Sequence, residues 1–281
     1  MNEPLPTPNQ TVQYQQYVSG IWKPLSSEVI TEQPVSLTVN GEVWLTLMCT
    51  PIDLEALATG FLYNEGFIQG TEDVADVRVC DNQENVDVWL TQAVEKPRQW
   101  RRTTGCTGGV TSISTEYKGR PVVNGGIISP QKVCQLVARL FDVQDLYRKS
   151  GGVHTSALSD GEQILITAED IGRHNTLDKI AGKLLMASLQ PQRRILLTTG
   201  RISSEMLQKA GRINASILIS RTSPSSLSIQ MAERQGITLI GYARRNQFNV
   251  YTHPERMENI LASEDRLDHT ENETIGDRKY R

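Results

Sequence analysis

Among the residues able to do covalent chemistry, Cys106 has the setting least suited to a packed interior. It lies in Thr103-Thr104-Gly105-Cys106-Thr107-Gly108-Gly109-Val110, directly after Trp100-Arg101-Arg102. Glycine weakens helix and strand alike and admits backbone angles that other residues avoid, so the spacing predicts a mobile loop. Arg101 and Arg102 favour the thiolate over the thiol, and the thiolate is the form that attacks sulfur or carbon. Cys106 is therefore the candidate nucleophile. Cys49, Cys80 and Cys134 lie in apolar strand-like or helix-like runs and read as small core side chains. No CxxC pair occurs, which leaves neither a zinc ribbon nor a dithiol redox site.

A second set of candidates falls where the strands of an α/β pattern would end. In open α/β sheets ligands sit beyond the carboxyl ends of the strands, where helix N-termini offer free N–H groups to anions. Gly200-Arg201-Ile202-Ser203-Ser204 follows one apolar run, Arg221-Thr222-Ser223-Pro224-Ser225-Ser226 the next, and Tyr242-Ala243-Arg244-Arg245-Asn246-Gln247 a third. A single turn of this kind reads as a solvated cap. Three in succession read as a local positive rim suited to phosphate, with Tyr242 able to stack on a base. His154 lies in Gly151-Gly152-Val153-His154-Thr155-Ser156-Ala157, and His174 in Glu169-Asp170-Ile171-Gly172-Arg173-His174-Asn175-Thr176-Leu177-Asp178-Lys179. Neither an HxE followed by PCxxC nor an HExxH is present, so no metal site is expected. These groups are expected to hydrogen-bond a loop or a ligand, with His174 or Asn175 near a helix start and Asp178 at its positive end. No G-x-S-x-G elbow supports a Ser-His-Asp hydrolase.

The elements that must carry these residues follow from periodicity. Ser36 to Val39 and Glu42 to Leu47 alternate around Asn40-Gly41, a hairpin signal. Pro51-Ile52-Asp53 offers a helix cap ahead of Leu54, Leu57, Ala58, Phe61 and Leu62, and Gly66 ends that helix. Val77 to Cys80 and Val86 to Leu90 form a second hairpin, giving a small α+β layer. From Ser129 a helix presents Val133, Leu136, Val137, Leu140 and Phe141 on one face. Strands at 163–167, 194–199, 215–220 and 237–242 then alternate with helices near 175–188, 203–212 and 225–234, which predicts a partly parallel sheet covered by helices. The expected organisation is a flexible leader over 1–28 and an N-terminal α+β domain over 29–126 carrying the cysteine loop at about 100–126. An α/β domain over 127–262 and a flexible tail over 263–281 follow.

The 281 residues suffice for a sizeable core, and two domains are expected. The net charge of −3 argues against general attraction to nucleic acid or anionic lipid, so any anion site must be a local cluster. The sequence contains no apolar run of membrane-span length and its start is polar, so a cytoplasmic protein without membrane or nucleic-acid partners is expected. A symmetric homodimer is the default assembly.

Taken together and in this order, these segments resemble the FdhD family of sulfur carriers required for formate dehydrogenase activity. The resemblance runs from about residue 29 to about 257. It is carried by Thr104-Gly105-Cys106, Gly152 to Ala157, Glu169 to Lys179, Ser203-Ser204-Glu205-Met206 and Val250-Tyr251-Thr252-His253-Pro254. It implies a three-layer α/β/α second domain, similar in fold to cytidine deaminases but without their zinc. It also implies a sulfurtransferase: Cys106 would accept sulfur as a persulfide from an L-cysteine desulfurase. The sulfur would then pass to bis-molybdopterin guanine dinucleotide, ahead of the cofactor's insertion into the formate dehydrogenase catalytic subunit. The family's cofactor-binding segment matches Tyr242, Ala243, Arg244, Arg245, Asn246 and Gln247, and Arg201, Ser203, Arg221, His154 and His174 complete the expected site. GDP or GMP would mimic the cofactor there. Many members carry CxxC in the loop, whereas Cys106 is followed by Thr107-Gly108-Gly109, which puts a resolving second thiol in doubt. A chaperone that shelters the cofactor without using the thiol is the competing class, and a zinc deaminase is the third.

Overall fold

The computed structural model describes residues 6–102, 110–112, 122 and 125–258. Strands β1 (Asn9–Val18) and β2 (Ile21–Ile30) pair antiparallel from Asn9↔Ile30 to Val18↔Ile21. Ser19 and Gly20, at φ 49° and 89°, form the tight turn. The leader expected over 1–28 is thus largely a hairpin. Val12, Tyr14 and Val18 on β1 and Ile21, Leu25 and Val29 on β2 alternate onto one face around a Ser-Gly turn, and outweigh the Pro, Gln and Thr content that suggested a loose segment.

β3 (Gln33–Val39) and β4 (Glu42–Cys49) form the expected hairpin through Asn40 and Gly41, at φ 49° and 82°. Helix α1 (Leu54–Glu65) crosses to β5 (Val74–Val79) and β6 (Asn85–Leu90), giving a sheet in the order β4-β3-β6-β5. β3 and β6 run parallel and the other neighbours antiparallel. Leu57, Phe61 and Leu62 of α1 pack on Val35, Leu37, Leu47, Val86 and Val88. Asp53 does not cap α1. It adopts a left-handed conformation, φ 53°, and its carboxylate instead lies 2.6 Å from Lys183 Nζ. Short strands β7 (Trp100–Arg102) and β8 (Val110–Ser112) then pair antiparallel, with the Trp100 ring against Phe61 and Phe67 at 5.9 and 6.3 Å. Cys106 and its loop, 103–109, lie outside the described residues, as does the tail over 263–281.

The second half begins with α2 (Pro130–Asp142), whose N-terminus is capped by Ser129 Oγ accepting from Lys132 N, and the short α3 (Asp145–Ser150). Then come β9 (His154–Ser159), β10 (Ile164–Asp170), α4 (Arg173–Met186), β11 (Ile195–Thr198), α5 (Ser204–Arg212), β12 (Ile217–Ser220), α6 (Ser226–Gln235), β13 (Thr238–Gly241) and β14 (Asn249–Val250). The sheet order is β10-β9-β11-β12-β13-β14. β11, β12 and β13 are parallel, whereas β9 opposes both neighbours and β14 opposes β13. Leu196, Leu218 and Leu239 meet α4, α5 and α6, while Leu197, Ile217, Ile219 and Ile240 meet α2. Burial on both faces explains why these strands read as unbroken apolar runs.

The two halves meet helix to helix. A Cβ on Gly60 of α1 would lie 1.7 Å from the Asp178 carbonyl, and one on Gly182 of α4 only 1.9 Å from the Ala56 carbonyl. The charged groups at this joint are paired: Lys209 Nζ sits 2.5 Å from Asp178 Oδ1, which also accepts from Asn64 Nδ2 at 2.8 Å. Asp178 therefore serves the joint rather than the positive end of α4, because it faces α1 and α5 from the second turn of the helix. Of the cysteines read as core, Cys49 is buried. Cys80 is half-buried in a turn, accepting from Asn85 N at 3.0 Å, and Cys134 is half-buried on α2.

Candidate functional site

Because β11, β12 and β13 are parallel, the turns after them share one edge of the sheet, and backbone bonds lace them together. Arg221 N donates to Thr198 O, Ile202 N to Ser223 O, Tyr242 N to Thr222 O and Ala243 N to Ser220 O, at 2.9 to 3.2 Å. Gly200 is required: a Cβ there would lie 2.8 Å from Arg173 Cβ. Ser203 Oγ caps α5 by accepting from Met206 N, and Ser225 and Ser228 form a reciprocal capping box on α6. Two helix N-termini thus open onto the edge, each contributing positive potential.

Four arginines stand on this rim. Arg201, Arg244 and Arg245 are exposed and Arg221 is half-buried. The Arg221 guanidinium lies 4.1 Å from the centroid of the Phe141 ring and that of Arg245 5.7 Å from it. Arg244 Nη1 donates to the carbonyl of Arg221 and, at 3.1 Å, to that of Ala243. Arg221 Nε is buried with no hydrogen-bond partner, and burial followed by the charge of Arg244 lowers the pKa of Arg221. Among the described residues no carboxylate forms an ion pair with any of the four. A concentration of cations without counter-ions, on a chain of net charge −3, fits an anionic ligand.

Two imidazoles line the inner side of the rim. His154 Nδ1 lies 3.4 Å from Thr199 Oγ1, and His174 Nε2 3.4 Å from Ser203 Oγ. Burial pushes the His174 pKa down to about 3, helped by Lys209, Arg173 and His154. His154 is lowered by burial, then by Arg173, with Arg201 adding to the effect and Asp170 opposing it. Both rings therefore carry one N–H and one lone pair at neutral pH, and act as hydrogen-bonding groups rather than cations.

The structure thus gathers His154, His174, Arg201 and Ser203 at the β9–β11 end of the edge. Arg221, Tyr242, Arg244 and Arg245 gather at the β12–β13 end. Tyr242 is 45% exposed, in a left-handed turn at φ 52° that holds its ring outward. Asn246 and Gln247 are exposed in the return to β14, where the Gln247 carbonyl accepts from Arg244 N. Ala243 departs from the expectation: its methyl is wholly buried against the α2 face of the sheet, so only its backbone reaches the rim. Phe141 was legible only as a core residue of α2, although its ring carries two of the rim arginines.

Much of the segment from Glu169 to Lys179 is structural. The Glu169 carboxylate accepts from Leu146 N, Tyr147 N and Thr155 Oγ1, fixing α3 beside the edge. Asn175 Nδ2 donates to Met48 O and Asp170 Oδ1, both at 2.8 Å, which ties the start of α4 to β4. Among the described residues no group of three or more His, Cys, Asp or Glu side chains is placed to hold a metal ion.

These features define an α/β protein with a cationic edge at the carboxyl ends of parallel strands. Residues 30–258 match the FdhD/NarQ family, and the chain belongs to that family. It is 35% identical over 247 residues to the sulfur carrier protein FdhD of Bacillus subtilis strain 168, covering 86% of this chain and 94% of that protein. It is 32% identical over 238 residues to that of Staphylococcus aureus strain MRSA252, covering 83% and 90%. Among solved structures it resembles a protein from Desulfotalea psychrophila assigned as a formate dehydrogenase accessory protein. The TM-score is 0.77 and the identity 27%, over 89% of this chain and 99% of that one.

Proposed function

We propose that this protein is a sulfurtransferase acting as a persulfide carrier: Cys106 accepts sulfur from an L-cysteine desulfurase, and the rim binds bis-molybdopterin guanine dinucleotide as the acceptor substrate. Loading transfers the outer sulfur of the desulfurase persulfide to Cys106 and frees the desulfurase thiol. Unloading breaks the new S–S bond: Cys106 keeps the bonding pair and leaves as a thiolate. The outer sulfur, released at the sulfane level, becomes a metal-bound sulfide by taking two electrons from the substrate's metal in its reduced state. The sulfurated cofactor then goes to the formate dehydrogenase catalytic subunit. Family membership supports the carrier role. The observation that carries the cofactor half is the set of rim arginines without carboxylate partners, with Arg221 Nε lacking an acceptor. Phosphate and pyrophosphate groups are the ligands such donors fit.

The test is to incubate the protein with a desulfurase and L-cysteine and measure intact mass. One added sulfur atom, absent from Cys106→Ala, is the expected result, together with failure of that variant to restore formate dehydrogenase activity. If Cys106→Ala restores activity while Arg221→Ala and Arg244→Ala do not, the protein is a cofactor-sheltering chaperone instead. No helix among the described residues is long and apolar enough to cross a membrane.

A further inference from the structure

We infer that Phe141 is a positioning residue of the rim: its ring holds the Arg221 and Arg245 guanidinium groups together, so that they engage two linked phosphates rather than one. This rests on the reading of the rim as a nucleotide-cofactor site. Two neighbouring cations without counter-ions repel one another and, on flexible side chains, would splay into solvent. The negative face of an aromatic ring opposes that separation, and here both guanidinium carbons lie within 6 Å of one ring centroid, at 4.1 and 5.7 Å.

The ring is itself anchored. Phe141 stands one and two helical repeats after Val137 and Val133, which are 1% and 0% exposed, so the face that buries them fixes its direction. It also lies in the last turn of α2, where the helix dipole presents its negative end to cations. Arg244 completes the arrangement by donating to the Arg221 carbonyl, which fixes the backbone under the first guanidinium. The Arg221 Nε is buried without a hydrogen-bond partner, so the protein itself does not satisfy this guanidinium. Two planar donors gathered on one ring match a diphosphate, whereas a single phosphate engages only one of them.

Calorimetric titration with GDP and GMP tests this. The unaltered protein is expected to bind GDP more tightly than GMP. Phe141→Leu is expected to lose about fivefold in GDP affinity and little in GMP affinity, and Phe141→Tyr to restore the difference. Should Phe141→Leu prove unstable by thermal melting, Phe141→Met, of similar volume and without a π face, replaces it. Equal losses for GDP and GMP would mean that the ring merely supports the fold, and would overturn the inference. Normal GDP binding by Phe141→Leu, with binding weakened in Arg221→Ala and Arg245→Ala, would overturn it while leaving the rim as the site. Normal binding by both arginine variants would remove the site, and the inference with it.

Discussion

Lys179 Nζ lies 2.6 Å from Asp170 Oδ2, and both side chains are completely buried. The pair joins the two halves of the molecule: Lys179 also donates to the carbonyls of Thr50 and Glu169, and Asp170 also accepts from the backbone of Thr50 and Gly172 and from Asn175. A buried pair is weak evidence for net stability, yet removing one partner strands the other as an uncompensated charge. Lys179→Met is expected to cost about 3 to 5 kcal/mol of unfolding free energy, and Asp170→Leu combined with Lys179→Met distinctly less than the sum of the single changes. Urea denaturation of the four proteins measures this, and additive losses would contradict it.

The helix joint makes a second demand. A methyl on Gly182 has backbone atoms of Ala56 at 1.9, 2.6 and 2.7 Å, so no side-chain adjustment relieves the overlap. Replacing glycine inside a helix by alanine ordinarily helps, by about 1 kcal/mol. Here Gly182→Ala is expected to destabilise by at least about 1 to 3 kcal/mol, because α1 must move away from α4. Gly151→Ala, at φ 71° with open space around it, would show only the smaller cost of its left-handed backbone. Comparing the two melting temperatures separates crowding from conformational strain.

The layers and the rim were legible in the sequence because each rests on a local signal: apolar runs for β11 to β13, serine caps for α2, α5 and α6, and arginines in three successive turns. β9 was not, because its Thr155 and Ser156 are polar yet buried, satisfied by Gln144 and Glu169 in one case and by Thr176 and Thr198 in the other. Such cross-chain bonds leave no periodic trace. Asp53 failed as a cap for a related reason: Lys183, far along the chain, competes for its carboxylate. The pairing of Phe141 with Arg221 and Arg245 is likewise a tertiary fact, invisible beside the ordinary amphipathic spacing of α2.

His174 gives the fold a pH dependence whose sign follows from its burial. Its pKa falls from the ordinary 6.5 to about 3 in the folded chain, so between those values the unfolded chain binds a proton that the folded chain does not. Stability from this group is complete above the unfolded pKa and is lost as pH falls from 6.5 toward 3. His154 shifts in the same direction. Each site contributes a slope of at most about 1.4 kcal/mol per pH unit. Urea midpoints between neutral and mildly acid pH should drop with acid, and His174→Gln should flatten that drop. An unchanged slope in the variant would place the proton uptake elsewhere.

Arg244 is the rim residue that both faces solvent and braces another arginine, since it donates to the Arg221 carbonyl. Its removal should act in two ways: loss of one cation from the proposed anion site, and freedom for the turn after β12 to shift. Arg244→Ala is therefore expected to weaken GDP binding by about 5- to 30-fold, in line with about 1 to 2 kcal/mol for one charge-assisted contact and its support. Arg244→Lys should recover part of the electrostatic attraction but not the bracing, because an ammonium lacks the planar fork. Raising ionic strength should narrow the gap between the protein and Arg244→Ala, since exposed charges are screened over about 8 Å at physiological salt. Calorimetry across a salt series measures both effects. A gap that does not change with salt would mean that Arg244 acts through the turn alone and contributes no charge to the ligand.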